Sequence, residues 1–333
     1  METIIFWVVV LVVCLIVLVK AADVFTKYSE KLGLALGLSS FIIGATIVAI
    51  GTSLPELVSS LFAVVGSGVT EFVADNIIGS NIANALLILG IGAVTARTLR
   101  VKTSLIDVDL PFFFMSMALF VYFVMDKQIT MWEGIFLLGF FIIFVIYSVK
   151  PDSTPDEVKE DKEEMEDLKE EYGNGKKKKG KGKSVPYAKY ILFIVVSAAL
   201  VAGSAKFLID SVLNLSELLG ISSSLLTITV VAVGTSLPEV LTSIAAIRMG
   251  NHSIAIGNVF GSNTFNLLLV AGVPALFSDL AVGSLTFVIG LPFLVIATFA
   301  AIFVTMDDKV RLWEGVAMLF LYGVFIAKVT GVI

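Results

Sequence analysis

The strongest constraint on this chain is a recurrence of apolar runs, each close to 20 residues long, on both sides of one polar stretch. A helix needs about 20 apolar residues to cross a hydrocarbon layer of about 30 Å. Hydropathy predicts ten spans, near 3–20, 38–65, 73–95, 104–125, 131–149, 188–212, 221–248, 253–277, 281–305 and 312–330. The expected fold is an all-α polytopic membrane protein, and a soluble enzyme is excluded. Composition agrees, since 57% of the 333 residues are hydrophobic and only 29 charged residues are spread over the 293 positions outside 150–189. That interval holds 11 Lys and 11 acidic residues, with an acidic run from Glu160 to Glu171 followed by GNGKKKKGKGK. It offers too little apolar surface to offset the entropy of ordering, which predicts a disordered linker. The predicted organisation is a five-helix unit at 1–149, a charged linker at 150–187 and a second five-helix unit at 188–333. Cys14, the single cysteine, rules out an intrachain disulfide. The first residues, Met-Glu-Thr, lack a basic n-region, so the stretch Ile4–Val19 is expected to persist as a span. The net charge of −5 gives no reason to expect a nucleic-acid partner. The lipid bilayer is the expected surrounding, with no obligatory protein partner.

The two apolar blocks are copies of one another. LGLSSFIIGATIVAIGTSLPE (36–56) matches LGISSSLLTITVVAVGTSLPE (219–239) at 13 of 21 positions. DNIIGSNIANALLILG (75–90) then pairs with GNVFGSNTFNLLLVAG (257–272), and MDKQITMWEG (125–134) with MDDKVRLWEG (306–315). An ordered series of matches at a nearly constant spacing is an internal duplication. Five spans is an odd number, so the second copy must enter the membrane inverted. With the linker in the cytoplasm, Lys20, Lys27, Lys31, Arg97, Arg100, Lys102, Arg248, Lys309 and Arg311 all fall on the cytoplasmic side. External segments hold only Lys127 and Lys328, and both termini are predicted outside. Matched positions also switch charge: Lys27 corresponds to Asp210 and Arg97 to Asp279. Inverted repeats are a transporter signature that puts the substrate site near the bilayer midplane.

Within the spans, Glu56 and Glu239 are repeat mates, each closing a G-T-S-L-P-E motif. A carboxylate at such depth is expensive unless it faces a wet cavity or a cation, so a functional role is expected. Pro55 and Pro238 each remove a helical N–H and leave the carbonyl of Gly51 or Gly234 without its helical donor. Irregular backbone is tolerated at that depth where it lines a cavity or is packed in protein. Helical spacing puts Thr52, Glu56, Ser59 and Ser60 on one face, and Thr235, Glu239, Thr242 and Ser243 on its mate. Ser59, Ser60, Thr242 and Ser243 are read as easing helix packing. The partner spans carry G-S-N-x-x-N twice, at Gly79, Ser80, Asn81, Asn84 and at Gly261, Ser262, Asn263, Asn266. Two carboxylates among neutral oxygens, with no His, Cys or Met cluster, suit Ca²⁺, Na⁺ or Mg²⁺, with Ca²⁺ the better divalent fit.

At these motifs the chain resembles the Ca²⁺/cation antiporter superfamily, in its sodium/calcium exchanger branch of prokaryotic type. The resemblance covers both apolar blocks. It implies ten transmembrane helices in two inverted five-helix repeats, with ions held among helices 2, 3, 7 and 8. By motif, Glu56 and Glu239 would be the main Ca²⁺ ligands, joined by the carbonyls of Thr52 and Thr235. Sodium sites would share both Glu residues and recruit Ser53, Ser80, Ser236, Ser262 and the carbonyls of Ala49 and Ala232. Asn84 and Asn266 would complete the central site. The implied activity is exchange of about three Na⁺ for one Ca²⁺ by alternating access, with the first and sixth helices sliding, and with no cofactor besides the transported ions. GTSLPE in place of a G-N-x-x-E type motif favours sodium over protons as the coupling ion, and Asn266, where potassium-dependent members carry Asp, implies potassium independence.

Other readings are a proton/calcium antiporter using the same Glu pair, an intramembrane hydrolase with paired carboxylates, and a cation channel. Asp75, whose repeat mate is Gly257, is expected either to cap the third span or to draw cations toward an outer vestibule. Trp132 and Trp313 are expected to be interfacial anchors, and His252 a solvated loop residue.

Overall fold

The computed structural model describes residues 2–35, 49–100, 103–149, 187–248, 252–307 and 309–333. The linker predicted at 150–187, except for its last residue, lies outside the described residues, as does 36–48 at the start of the second span. Each predicted span has its helix. α1 (Glu2–Ala35) and α6 (Tyr187–Leu219) are long and continuous, each about 50 Å at 1.5 Å per residue. α2 runs as Ala49–Thr52 and Leu54–Ser67. α3 runs as Glu71–Ala83, a π-helical turn Asn84–Ile88, and Leu89–Ala96. α4 is Thr103–Phe123 and α5 is Met131–Val149. α7 comprises Ser223–Leu226, a π turn Thr227–Val231, Ala232–Thr235 and Leu237–Arg248. α8 comprises His252–Phe265, a π turn Asn266–Val270 and Ala271–Ala275. α9 is a π turn Thr286–Gly290 followed by Leu291–Thr305, and α10 is Leu312–Val329. Among the described residues seven helices are long and apolar enough to span a membrane, and α2, α4 and α5 supply shorter apolar helices. The chain is a multi-pass membrane protein.

Four short strands tie the connections together. β1 (Thr98–Arg100) pairs antiparallel with β4 (Lys309–Arg311), and β2 (Gln128–Ile129) with β3 (Leu280–Ala281). α4 separates β1 from β2, and α9 separates β3 from β4, so the two ribbons lie at opposite ends of the bundle. β1 and β3 both follow a GSN helix, yet they sit at opposite ends. The β1–β4 ribbon gathers Arg100, Lys309 and Arg311 at one end.

The repeated W-E-G resolves into three separate tasks. Trp132 and Trp313 are 70% and 78% exposed at the starts of α5 and α10, one beside each ribbon. Glu133 Oε2 accepts the Thr130 N–H at 2.7 Å and Glu314 Oε2 accepts the Arg311 N–H at 2.6 Å, so each Glu satisfies a backbone donor just ahead of its helix. Gly134 and Gly315 allow close approach: a Cβ on either would lie 2.6 Å from the Cβ of Ala275 or Ala93. Through them α5 packs on α8 and α10 packs on α3, each repeat's last helix seated on the other repeat's GSN helix.

One large apolar core, with Phe113, Phe120, Phe260 and Phe325 fully buried, joins residues of α2–α5 and α7–α10. None of the described residues of α1 or α6 belongs to it. They pack chiefly on each other and rest on two small clusters: Leu11, Cys14, Leu208, Ile209, Val212 and Leu215 with Ala63, Phe72 and Val231; and Ala21 and Val201 with Leu54 and Val58.

Candidate ion-binding site

The site is built where α2 and α7 are interrupted. Ser53 (φ −86°, ψ 9°) and Ser236 (φ −79°, ψ 1°) leave helical geometry for one residue, and each helix restarts at the following Leu. Pro55 and Pro238 fall in the first turn of the restarted segments, where a missing N–H forfeits no helical bond. The predicted irregularity is therefore a break into two half-helices. Glu56 and Glu239 lie in the first turns of the second halves, where aligned peptide dipoles favour negative charge.

Both carboxylates are fully buried, and they are bound crosswise. Ser53 Oγ on α2 donates to Glu239 Oε1 on α7 at 2.9 Å, and Ser236 Oγ on α7 donates to Glu56 Oε1 on α2 at 3.4 Å. Ser80 Oγ on α3 lies 3.4 Å from Glu56 Oε1, 3.4 Å from the Ala232 carbonyl and 3.5 Å from Thr235 Oγ1; its one hydrogen can serve only one of them at a time. On the opposite side Thr52 Oγ1 and Ser262 Oγ both donate to Asn258 Oδ1 at 3.4 Å. Close approach of α3 and α7 is possible because position 79 is Gly: a Cβ there would sit 2.6 Å from both the Ala232 Cβ and the Ile228 carbonyl oxygen.

Thr52, Ser53, Glu56, Ser80, Asn84, Ala232, Thr235, Ser236, Glu239, Ser262 and Asn266 are all buried. Ala49 opens the described part of α2, one helical turn before Ser53. Asn84 and Asn266 each begin a π turn, a local widening that recurs at functional sites. Eleven buried side-chain N and O atoms lack a partner among the described residues. Ten of them belong to three pairs of repeat mates: Oε2 of Glu56 and Glu239, and both amide atoms of Asn81, Asn263, Asn84 and Asn266. Buried polar atoms are normally paired, so this concentration marks a place built for a bound polar species. Among the described residues no group of three or more His, Cys, Asp or Glu is present. The donor set is rich in oxygen, which suits a hard cation.

Two contributors escape a motif reading. Asn76 Nδ2 donates to the Glu56 carbonyl at 3.4 Å and to Ser60 Oγ at 3.2 Å; Asn258 Nδ2 donates to the Glu239 carbonyl at 3.3 Å and to Ser243 Oγ at 3.0 Å. These amides clip each GSN helix to its glutamate helix. The usable signal was their shared place four residues ahead of Ser80 and Ser262. Ser60 and Ser243 keep a packing role, now as acceptors of these clips. Asp75 is neither a helix cap nor a vestibule residue. Thr70 holds the N-cap position, and Asp75, 1% exposed, accepts hydrogen bonds from Ser224 and Thr286.

Two buried carboxylates among hydroxyl and amide oxygens, set between interrupted membrane helices, are the kind of centre that a membrane carrier of cations needs. The chain belongs to the sodium/calcium exchanger family: the family model, described as sodium/calcium exchanger protein, matches residues 6–150 and 189–331. It is 33% identical to the sodium/calcium exchanger MaX1 of Methanosarcina acetivorans, over 95% of this chain and 96% of that one. It is 32% identical to the inner membrane protein YrbG of Escherichia coli, over 80% and 78%. A solved structure of the sodium-calcium exchanger NCX_Mj, 27% identical, superposes with a TM-score of 0.67 over 97% of this chain and 98% of that one.

Proposed function

We propose that this protein exchanges Na⁺ for Ca²⁺ across the membrane, with Glu56 and Glu239 holding either Ca²⁺ or Na⁺ in turn. The observation that carries this reading is the crosswise pairing, in which one oxygen of each carboxylate takes a serine of the other repeat and the second has no hydrogen-bond partner among the described residues. Ca²⁺ would take both carboxylates and the carbonyls of Thr52 and Thr235. Na⁺ would take the same carboxylates with Ser53, Ser80, Ser236, Ser262 and the carbonyls of Ala49 and Ala232, and Asn84 and Asn266 would complete the centre. Competition for shared ligands couples the two fluxes. The family match and the likeness to MaX1 support the ion pair. NCX_Mj is described in terms of extracellular ion exchange and binding-site occlusion with Na⁺, Ca²⁺ and Sr²⁺.

Two carboxylates neutralise one Ca²⁺ but not three Na⁺, so a 3:1 cycle carries one net charge, worth about 2.3 kcal/mol per 100 mV. Asn266 at the centre argues for potassium independence. The two repeats are proposed to be inverted, with the linker and the β1–β4 ribbon cytoplasmic and both termini external, and the opposite-end ribbons support this. α1 and α6, held outside the main core, are the pair proposed to slide in alternating access. Purified protein in vesicles should take up labelled Ca²⁺ only against an opposing Na⁺ gradient, with a rate that responds to voltage and ignores K⁺. Uptake driven equally by a proton gradient, or without any counter-ion, would refute the proposal in favour of a proton exchanger or a channel.

A further inference from the structure

Near the end of the bundle that carries β2 and β3, a third buried carboxylate joins the two repeats. Asp75 lies in the second turn of α3, and each of its oxygens takes a different hydroxyl: Oδ2 accepts from Ser224 Oγ at 2.5 Å, at the first turn of α7, and Oδ1 accepts from Thr286 Oγ1, at the first residue of α9. The three helices are packed tightly around it. A Cβ on Gly283 would lie 3.2 Å from Ser224 Oγ, and one on Gly290 would lie 2.9 Å from Ile228 Cδ1 and 3.1 Å from Ile78 Cγ2. Hydrogen bonds to a carboxylate are shorter and stronger than neutral ones, so this clasp fixes where α7 begins relative to α3. From that fixed end, the π turn Thr227–Val231 leads directly to Ala232, Thr235 and Ser236. The repeat mate, Gly257, has no carboxylate.

We infer that Asp75 is a positioning residue: through Ser224 it holds the Ala232 carbonyl, Thr235 and Ser236 at their distance from Ser80 and Glu56, and so tunes Na⁺ binding on one side of the site only. The inference rests on the exchange reading given above, because Ser80 and the Ala232 carbonyl are its proposed Na⁺ ligands. On the mirror side, with Ser262 and Ala49, the position matching Asp75 is Gly257, which has no side chain to accept such bonds, so the two Na⁺-binding sides of a duplicated protein are unequal at this position.

The test compares D75N, D75G, S224A, T286V and D75G/S224A with the parent in vesicles, recording half-saturating Na⁺ and Ca²⁺ separately, with monodispersity in detergent as the folding control. D75G and S224A should raise half-saturating Na⁺ by roughly three- to tenfold, inside the roughly 2- to 30-fold span that altered coupling between packed sites covers. Half-saturating Ca²⁺ should rise by a smaller factor, because one proposed Ca²⁺ ligand on that segment, the Thr235 carbonyl, is affected, against two proposed Na⁺ ligands, Ser236 and the Ala232 carbonyl. The double variant should be no worse than the worse single one, and D75N should be milder than D75G. Should D75G not fold, S224A and T286V carry the same expectation. Unchanged Na⁺ half-saturation in S224A, equal shifts for both ions, or additive single effects would overturn the inference. Lack of Na⁺-driven Ca²⁺ flux in the parent would instead overturn the exchange reading, so the two failures are separable.

Discussion

Adding one methyl group at Gly79 probes whether the contact between α3 and α7 sets the geometry of the site. An ideal Cβ at that position lies 2.6 Å from the Ala232 Cβ, 2.6 Å from the Ile228 carbonyl oxygen and 3.1 Å from the Ile228 Cα. Two of those three atoms are backbone and cannot rotate away. Carbon contacts settle near 3.5–4.0 Å, so the helices must part by about 1 Å. Overpacking of this kind costs about 1–3 kcal/mol, and the better helix propensity of Ala offsets about 1 kcal/mol. G79A should therefore fold, with a modest loss of thermal stability in detergent. The site is affected more strongly, because Ser80 Oγ stands only 3.4 Å from both the Ala232 carbonyl and Glu56 Oε1. A further separation of about 1 Å takes the first pair beyond hydrogen-bonding range. Na⁺-driven Ca²⁺ flux should fall about tenfold or more, the scale of loss that misplacement by about 1 Å produces in an ordered site. A G79A protein that is monodisperse, with unchanged melting temperature and full flux, would show that this interface does not set ligand geometry.

Three more expectations follow from the same structure. E56Q and E239Q should each abolish exchange in a folded protein, and each should lose the thermal stabilisation that saturating Ca²⁺ gives the parent; retained stabilisation in both would mean that Ca²⁺ binds elsewhere. S53A and S236A remove equivalent donors from opposite carboxylates, so their effects on half-saturating Na⁺ should agree within about 1 kcal/mol, the usual spread for one hydrogen bond, and a null effect in both would discount the crosswise bonds. His252 Nδ1 accepts the Arg100 N–H at 3.1 Å, and burial, followed by the positive charge of Arg100, pushes its pKa below the ordinary histidine range. The unfolded chain then binds the proton more readily, so stability should fall as pH drops below about 6.5 toward the lower folded value; H252N should flatten that slope in melting curves taken from pH 7.5 to 5.5.

Much of this was legible in the sequence because the duplication supplied an internal control. The ten apolar runs coincide with helices, and the paired GTSLPE and GSN motifs supply residues that the fold buries together at the two interrupted helices. What stayed hidden depends on which atoms meet across the repeats. The prolines announced an irregularity, but not that the helix would leave its geometry for one residue at Ser53 and Ser236, nor that each of those hydroxyls would reach the other repeat's carboxylate. Asn76 and Asn258 read as ordinary polar residues beside conspicuous glycines; their role emerges only when their amides are seen to hold the glutamate carbonyls. Asp75 was misread because its position near the start of α3 resembles a cap, whereas its partners come from α7 and α9, about 150 and 210 residues away along the chain. His252, expected to be a solvated loop residue, stays partly exposed but opens α8, where its Nδ1 accepts the Arg100 N–H.

The exchange of hydrogen bonds between Ser53 and Glu239 and between Ser236 and Glu56 carries a consequence for ancestry. Each half of the chain provides the carboxylate, and the other half provides the hydroxyl that orients it. On the proposed inverted arrangement, a half-length protein could assemble such a centre only by meeting a second copy of itself lying the opposite way up in the membrane. Joining the two copies in one chain would then remove the need for one polypeptide to insert in both orientations, and would let the copies differ, as they do at Asp75 and Gly257.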